Sequence, residues 1–291
     1  MRPRSFTYSA PVTVAEAVAT LQRYGEDAKV LAGGQSLVPM LKLRLAAPKH
    51  IVDINRIPEL DAIRLEDGAL VIGALTTHDA IENSALVRVH CPLLAETAQH
   101  IADPLVRNRG TIGGSLCHAD PAADFPLAAI VLKAKLEAEG PEGVRAIGAD
   151  DFFVGFLTTA LQPYEILTTI RFPRLRPRSG AAHMKLSRRT NGLATVGVAA
   201  MVALDEVGNC ADVGVGMAGM ALSPIRARAV EQALRGKRID DNAISQAAVL
   251  AIEGTDPPSD VHGSANYRLA VAPTITARVL RLACERAGAR L

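Results

Sequence analysis

The sequence predicts a mixed fold, α+β or α/β, in two domains, and three observations carry that reading. Short apolar runs of strand length are interspersed with helix-period segments in the first half. A stretch with two prolines, three arginines and a glycine interrupts the chain at residues 173–180. Beyond it, three strand-like runs come first and helices close the chain. The chain has 291 residues, enough for two cores.

The elements follow in order. Residues 13–24 place Val14, Ala17, Val18 and Leu21 at helical spacing, with Thr13 as N-cap and Glu16 three residues on, a capping-box signature. Residues 29–32, 50–54 and 69–73 are short apolar runs that read as buried strands. Residues 76–81 and 124–132 read as short helices, and residues 135–139, 143–147 and 165–172 as further strands. After the linker, residues 182–187, 194–204 and 211–220 read as strands. A helix over 224–234 follows, with Ser223 as N-cap and Pro224 at the first helical position, where its missing N–H costs nothing. Helices over 242–252 and 273–287 complete the chain.

Composition narrows the function. Hydrophobic residues are 49% and charged residues 21%, ordinary for a folded protein. The net charge of +2 comes from 32 basic and 30 acidic side chains without a concentrated basic tract, and Trp is absent. Neither the electrostatic footprint nor the stacking platform of a nucleic-acid reader is there. Cys91, Cys117, Cys210 and Cys284 are far apart and form no Cys-x-x-Cys pair, which argues against a zinc knuckle, a locally ligated iron–sulfur cluster or a disulfide framework. The residues after Met1 contain no apolar signal segment. The longest uncharged apolar stretch, residues 193–204, falls short of the roughly 20 residues a membrane span needs. The expected location is the cytoplasm.

Two glycine loops carry the chemistry. In the first, a strand runs into Ala32, Gly33, Gly34, Gln35, Ser36 and Leu37. Glycines permit φ > 0 and lack a Cβ, so successive backbone N–H groups can converge on an anion, and Ser36 can add a hydroxyl donor. A helical turn beginning after Ser36 would add the favourable end of its dipole. The second loop, residues 107–124, sets Gly110, Thr111, Gly113, Gly114 and Ser115 close together and repeats that chemistry. Two such loops suit a long dinucleotide better than a lone phosphate. Asp124 can accept from ribose hydroxyls or a ring N–H, or else cap the helix that follows. His118, Asp120 and Asp124 have no further ligand run, so they do not make a metal site.

One motif is a decoy. Gly214, Gly216 and Gly219 match the G-x-G-x-x-G dinucleotide fingerprint, with Asp240 and Asp241 downstream. In that fingerprint the helix begins among the glycines, which would bury Pro224 inside it and break its hydrogen-bond ladder. Those glycines therefore read as part of a packed strand. Walker A, Gly-x-Ser-x-Gly and His-Glu-x-x-His signatures are missing. Any chemistry belongs to a cofactor.

Three segments in this order resemble one family: residues 31–39 with the Lys42-Leu43-Arg44-Leu45 that follows, residues 109–124, and residues 185–194. The chain is similar along its whole length to the FAD-binding medium subunit of the molybdenum hydroxylases of the xanthine dehydrogenase and carbon monoxide dehydrogenase type. That resemblance implies an α+β fold: a two-lobed FAD-binding domain of the p-cresol methylhydroxylase type over residues 1–175, its lobes dividing near residue 55, then a smaller α+β domain over 180–291.

It also implies site roles. Ala32, Gly33, Gly34, Gln35, Ser36 and Leu37 would hold the FAD pyrophosphate, and Thr111, Gly114 and Ser115 would hold the diphosphate and neighbouring parts. Asp124 matches a cofactor-binding carboxylate, Leu167 a backbone contact near the adenine side, and Lys185 a basic residue near the flavin, where a cation would favour a reduced, anionic ring. Thr190 to Leu193 would lie over or beside that ring. Gln35 stands where relatives similar to carbon monoxide dehydrogenases carry His, Leu193 gives no stacking group, and the cysteine-bearing insertion of benzoyl-CoA-type relatives is missing.

The implied partners are a large subunit with a molybdopterin cofactor and a small subunit with two [2Fe–2S] clusters, as a dimer of heterotrimers. Electrons would pass from those clusters to NAD+, a quinone or oxygen. Two other readings differ in kind. A self-contained FAD-dependent oxidase would need a substrate pocket and a residue for covalent attachment. A non-catalytic scaffold would have no use for convergent anion donors.

Overall fold

The computed structural model of the protein describes residues 2–289. Its strands form three sheets and a two-stranded ribbon. The first sheet is parallel, order β1-β3-β2, from β1 (Thr7–Ser9), β2 (Ala28–Leu31) and β3 (His50–Asp53). Helix α1 (Val14–Tyr24) joins β1 to β2, and α2 (Leu37–Leu43) joins β2 to β3. Thr13 Oγ1 caps α1 by accepting the Glu16 N–H at 3.1 Å, as expected, while Glu16 reaches back to the Val12 N–H at 2.9 Å. Ala17, Val18 and Leu21 form the buried face of α1 against Ala28, Val52 and Ile54.

The second sheet is antiparallel throughout, order β4-β5-β10-β6-β7, from β4 (Ile63–Glu66), β5 (Ala69–Gly73), β6 (Lys135–Gly140), β7 (Gly143–Gly148) and β10 (Ile166–Phe172). Six helices lie between β5 and β6: α3 (His78–Asn83), α4 (Ala85–His90), α5 (Pro92–Gln99), α6 (Pro104–Arg107), α7 (Ile112–His118) and α8 (Asp124–Val131). The sequence pattern shows only the first and last of these. The others run four to eight residues and are begun by the caps Ser84, Asp103 and Thr111 and by prolines at the start of α5 and α6. Helix α9 (Ala149–Phe152) leads into the ribbon of β8 (Phe153–Gly155) and β9 (Thr158–Thr159).

The third sheet, order β11-β12-β13-β14, is antiparallel and built from β11 (Ser179–Leu186), β12 (Val196–Leu204), β13 (Cys210–Ala218) and β14 (Ile225–Arg226). It is covered on both faces. Val196, Val198, Ala200 and Val202 face α10 (Arg228–Leu234), α11 (Asp241–Val249) and α12 (Ala265–Arg286), while Ala199 and Met201 join the core that holds α8. Every residue of β12 is buried, which is why its sequence is apolar without alternation. Gly214 and Gly216 lie in β13 under α8, where a Cβ at Gly214 would sit 2.8 Å from the Val131 carbonyl oxygen. They serve close helix-on-sheet packing.

Two helix starts differ from expectation. Pro224 lies outside a helix: residues 225–226 add β14 to the edge of β13, the Ala227 N–H bonds to Val215 O at 2.8 Å, and α10 begins only at Arg228. Satisfying the backbone of β13 outweighs an early helix start. Pro273 is interior to a 22-residue helix that starts at Ala265 under a Ser264 cap. The lost hydrogen bond is outweighed by the buried stripe of Ala272, Thr276, Val279, Leu280 and Ala283 on α12. No helix among the described residues is long and apolar enough to cross a membrane.

Candidate functional site

The two glycine loops meet. The first leaves β2 and enters α2, and the second precedes α7. A Cβ at Gly33 would lie 2.0 Å from Arg109 O and 2.9 Å from the Gly110 Cα, so only a bare backbone allows this approach. A Cβ at Gly114 would come 3.8 Å from the Ala32 Cβ. Gly34 takes φ +74°, a conformation in which glycine carries no steric cost. Gln35 and Ser36 are exposed at the tip.

The loops differ in what they leave open. In the first, among the described residues, the backbone N–H groups of Ala32, Gly33, Gly34, Gln35, Ser36 and Leu37 find no backbone or side-chain acceptor; intrachain bonds resume at Val38 N–H, which reaches Gly34 O at 3.0 Å. A run of unpaired donors around two glycines, running into a helix, is a cradle for an anion. The side chain of Ser36 does not cap α2 and stays free to donate.

The second loop does not repeat that device. The N–H groups of residues 112–115 are committed within the chain: Ile112 to Thr76 O at 3.0 Å, Gly113 to Ala74 O at 2.9 Å, Ser115 to Thr111 O at 3.0 Å, and Gly114 to Thr111 Oγ1 at 3.1 Å. Its amides hold α7 against the residues after β5, and what they leave for a ligand is the hydroxyls of Thr111 and Ser115. Thr111 is buried and Ser115 half-buried. Cys117 follows on α7 with its thiol pushed up to about 12 by burial, so it stays protonated and is a poor nucleophile.

Asp124 opens α8 without capping it. Its carboxylate is buried, with Oδ2 2.7 Å from Lys185 Nζ and Oδ1 3.2 Å from His183 Nε2. His183 and Lys185 are two apart on β11, so they share a face of the strand. Lys185 is not a solvated strand-end cation: its side chain is 8% exposed, and Asp124 offsets much of its charge. His100, exposed at the surface, tilts its ring 5.6 Å from that of His183. His78 lies under the second loop, its ring 5.1 Å from Phe125. Burial lowers its pKa to about 4, against an upward pull from Asp124, so it is neutral near pH 7.

The other expected residues are dispersed. Leu167 is buried in β10, where the register against β6 shifts at a bulge. Thr190, Asn191 and Leu193 are exposed in the loop between β11 and β12, with Asn191 at φ +61°. Arg107 is turned inward to Glu82, at 2.9 Å, and to the Ile101 and Ala102 carbonyls, whereas Arg109 stays exposed. Asp120 is spent locally, accepting the Ala122 N–H at 2.8 Å. Sequence reasoning missed His183, whose one signal was its place two residues before Lys185 in a strand. It also missed Asn55, which donates to Ala32 O at 2.9 Å.

The arrangement can bind an extended anionic ligand along residues 32–37, and a buried charge pair lies at Asp124 and Lys185. These features fit FAD: unclaimed amides for a diphosphate, hydroxyls beside them, and a carboxylate with a lysine where a polar ring edge could dock.

Comparison with known proteins places the chain in a family. Residues 4–175 match the family model described as FAD binding domain in molybdopterin dehydrogenase, and residues 181–283 match the CO dehydrogenase flavoprotein C-terminal domain. The carbon monoxide dehydrogenase medium chain of Hydrogenophaga pseudoflava is 43% identical over 98% of this chain and 99% of its own. The 6-hydroxypseudooxynicotine dehydrogenase complex subunit alpha of Paenarthrobacter nicotinovorans is 40% identical over 99% of this chain and 97% of its own. A solved structure of the Hydrogenophaga pseudoflava carbon monoxide dehydrogenase, in a form lacking the Mo-pyranopterin moiety, superposes with a TM-score of 0.96 over 98% of this chain and 99% of that one, at 44% identity.

Proposed function

The chain belongs to the family of FAD-binding medium subunits of the molybdenum hydroxylases, and on that premise we propose that it holds FAD between its two glycine loops and passes electrons from a partner's iron–sulfur clusters to an external acceptor. The observation that carries the proposal is the unclaimed run of amides at residues 32–37 laid against the Arg109 backbone.

Each group has a task. Ala32, Gly33, Gly34, Gln35, Ser36 and Leu37 bind the diphosphate through backbone N–H groups and the Ser36 hydroxyl. Thr111 and Ser115 add hydroxyl donors, and Gly114 leaves room for the ligand to pass. Asp124 accepts from the flavin half of the cofactor, and Leu167 offers its backbone on the adenine side. Lys185 holds the Asp124 carboxylate in place through their 2.7 Å contact. Bound FAD supplies the redox chemistry, exchanging electrons singly with iron–sulfur clusters and in pairs with other acceptors. The chain's own work is binding, orientation and a fixed electrostatic environment.

The partners are a molybdopterin-binding large subunit and an iron–sulfur small subunit, in a dimer of heterotrimers in the cytoplasm. The substrate meets the large subunit. Relatives named for carbon monoxide and for 6-hydroxypseudooxynicotine are nearly equally similar to this chain, so the reading extends to no one substrate.

The test is an absorption spectrum of the purified chain before and after acid release, with the released group identified by mass. FAD near one per chain supports the reading. A folded, colourless chain that takes up no added FAD overturns it. Co-expression with candidate large and small subunits, followed by copurification and FAD reduction on adding substrate, tests the electron-transfer step.

A further inference from the structure

The donor loop is held from beneath by residues that no motif marks. Asn55 Nδ2 donates to Ala32 O at 2.9 Å. Asn55 is itself fixed by Asp53, whose Oδ1 accepts both its backbone N–H at 2.9 Å and its Nδ2 at 2.6 Å. Asp53 Oδ2 accepts the Tyr8 hydroxyl at 2.7 Å. The three residues belong to β1, the end of β3 and the turn beyond it, so the network ties the loop to the parallel sheet. Burial acts to raise the Asp53 pKa, but bonds from Tyr8 and Asn55 and the charge of Arg109 outweigh it and lower the pKa, keeping the carboxylate an acceptor.

The geometry has a directional consequence. In a trans peptide the C=O of one residue and the N–H of the next point to opposite sides. Pinning Ala32 O toward Asn55 therefore turns the Gly33 N–H the other way, and that N–H has no acceptor among the described residues. The next peptides are set by the helix: Gly34 O accepts from Val38 N–H at 3.0 Å and Ser36 O from Met40 N–H at 3.1 Å, which turns the Gln35 and Leu37 N–H groups away from α2. Asn55 supplies that constraint at the peptide the helix cannot reach.

We propose that Asn55, seated by Asp53 and Tyr8, is a positioning residue that orients the Ala32–Gly33 peptide to receive a diphosphate. This rests on the FAD reading above. Asn55 touches the loop and leaves the cofactor's reacting ring to other residues. Asn55 and Tyr8 are exposed, so their substitution leaves the core untouched.

The experiment uses the full chain stripped of cofactor and titrated with FAD by fluorescence, with 31P NMR of the pyrophosphate in the loaded protein. Asn55→Ala is expected to weaken FAD binding roughly tenfold, the scale of one oriented hydrogen bond, and to shift the bound 31P resonances. Tyr8→Phe should weaken binding about twofold to threefold in the same direction, since it removes only the support of Asp53. The melting temperature of the cofactor-free chain should change by less than about 2 °C in both variants. Should Asn55→Ala not fold, Tyr8→Phe and Asn55→Ser carry the same readouts.

Unchanged affinity and unchanged 31P shifts in variants of a wild type that binds FAD overturn the proposal and leave the FAD reading standing. Weakened binding with unshifted 31P resonances and a proportionate loss of cofactor-free stability also overturns it, as the mark of a merely structural role. A wild type that takes up no FAD overturns the parent reading, and this one with it.

Discussion

Lys185 and Asp124 are 61 residues apart in the chain, yet Nζ and Oδ2 lie 2.7 Å apart with both side chains buried. The pair joins β11, in the sheet that follows the linker, to the first residue of α8, in the core that precedes it. Arg286 to Glu96, Lys133 to Asp212 and Arg226 to Asp150 also pair residues across the same boundary. At Lys185–Asp124 the third group is a buried imidazole, His183, whose Nε2 lies 3.2 Å from Asp124 Oδ1.

Breaking this pair on one side leaves a buried charge without a partner. Lys185→Met is expected to lower the stability of the cofactor-free chain by about 3 kcal/mol, seen as a drop of roughly 6–12 °C in thermal melts. The double variant Asp124→Leu with Lys185→Met should recover much of that loss while FAD affinity stays low. A double variant as unstable as Lys185→Met alone would show that the single loss came from packing.

Gly33→Ala should be selective for binding. Its Cβ would meet Arg109 O at 2.0 Å, so the two loops must part. FAD affinity is expected to fall roughly 10- to 100-fold, with far-ultraviolet circular dichroism unchanged. Gly208→Ala is the control: at φ +92° it strains the backbone by about 1 kcal/mol but meets nothing within 4 Å, so melting should shift slightly and FAD titration should not.

Acid should destabilise the fold before the carboxylates titrate. Native His78 takes its proton near pH 4, while the unfolded chain takes it near 6.5, so between those values the unfolded state binds more protons. Stability contributed by neutral His78 is complete above pH 6.5 and is lost as pH falls toward 4, up to roughly 3 kcal/mol. His50 and His100, both lowered by burial first, act in the same direction. Urea unfolding at a series of pH values checks this, and His78→Leu should flatten the slope in that window.

Arg268 is the largest fully buried side chain described. It donates to the carbonyls of Thr195 and Gly219 and forms two 2.8 Å contacts with Asp260. Arg268→Lys cannot reproduce that fork and should cost about 2–3 kcal/mol, read in denaturant titration as a lower midpoint. FAD affinity should change little, because the residue lies in the C-terminal sheet and helix region.

Local pattern was enough to read the longer apolar strands and the donor loop, while the short strands β1, β4, β8, β9 and β14 went unread. Runs such as Ala69 to Gly73 need only local apolarity to be read, and paired glycines with a hydroxyl mark an anion cradle wherever a strand leads into them. Thr13 and its partner Glu16 could be read because capping is local. The remaining features depend on neighbours distant in the chain. The amides of residues 112–115 look like those of the first loop until Ala74 and Thr76 are seen to claim two of them and Thr111 the others. Pro224 looks like a helix start until β13 needs an edge partner. Asp124 looks like a lone carboxylate until Lys185 and His183 arrive on the next sheet. The physical reason is common to all three. A hydrogen-bonding group is disposed of by whatever folds against it, and period, propensity and spacing describe only what lies within a few residues.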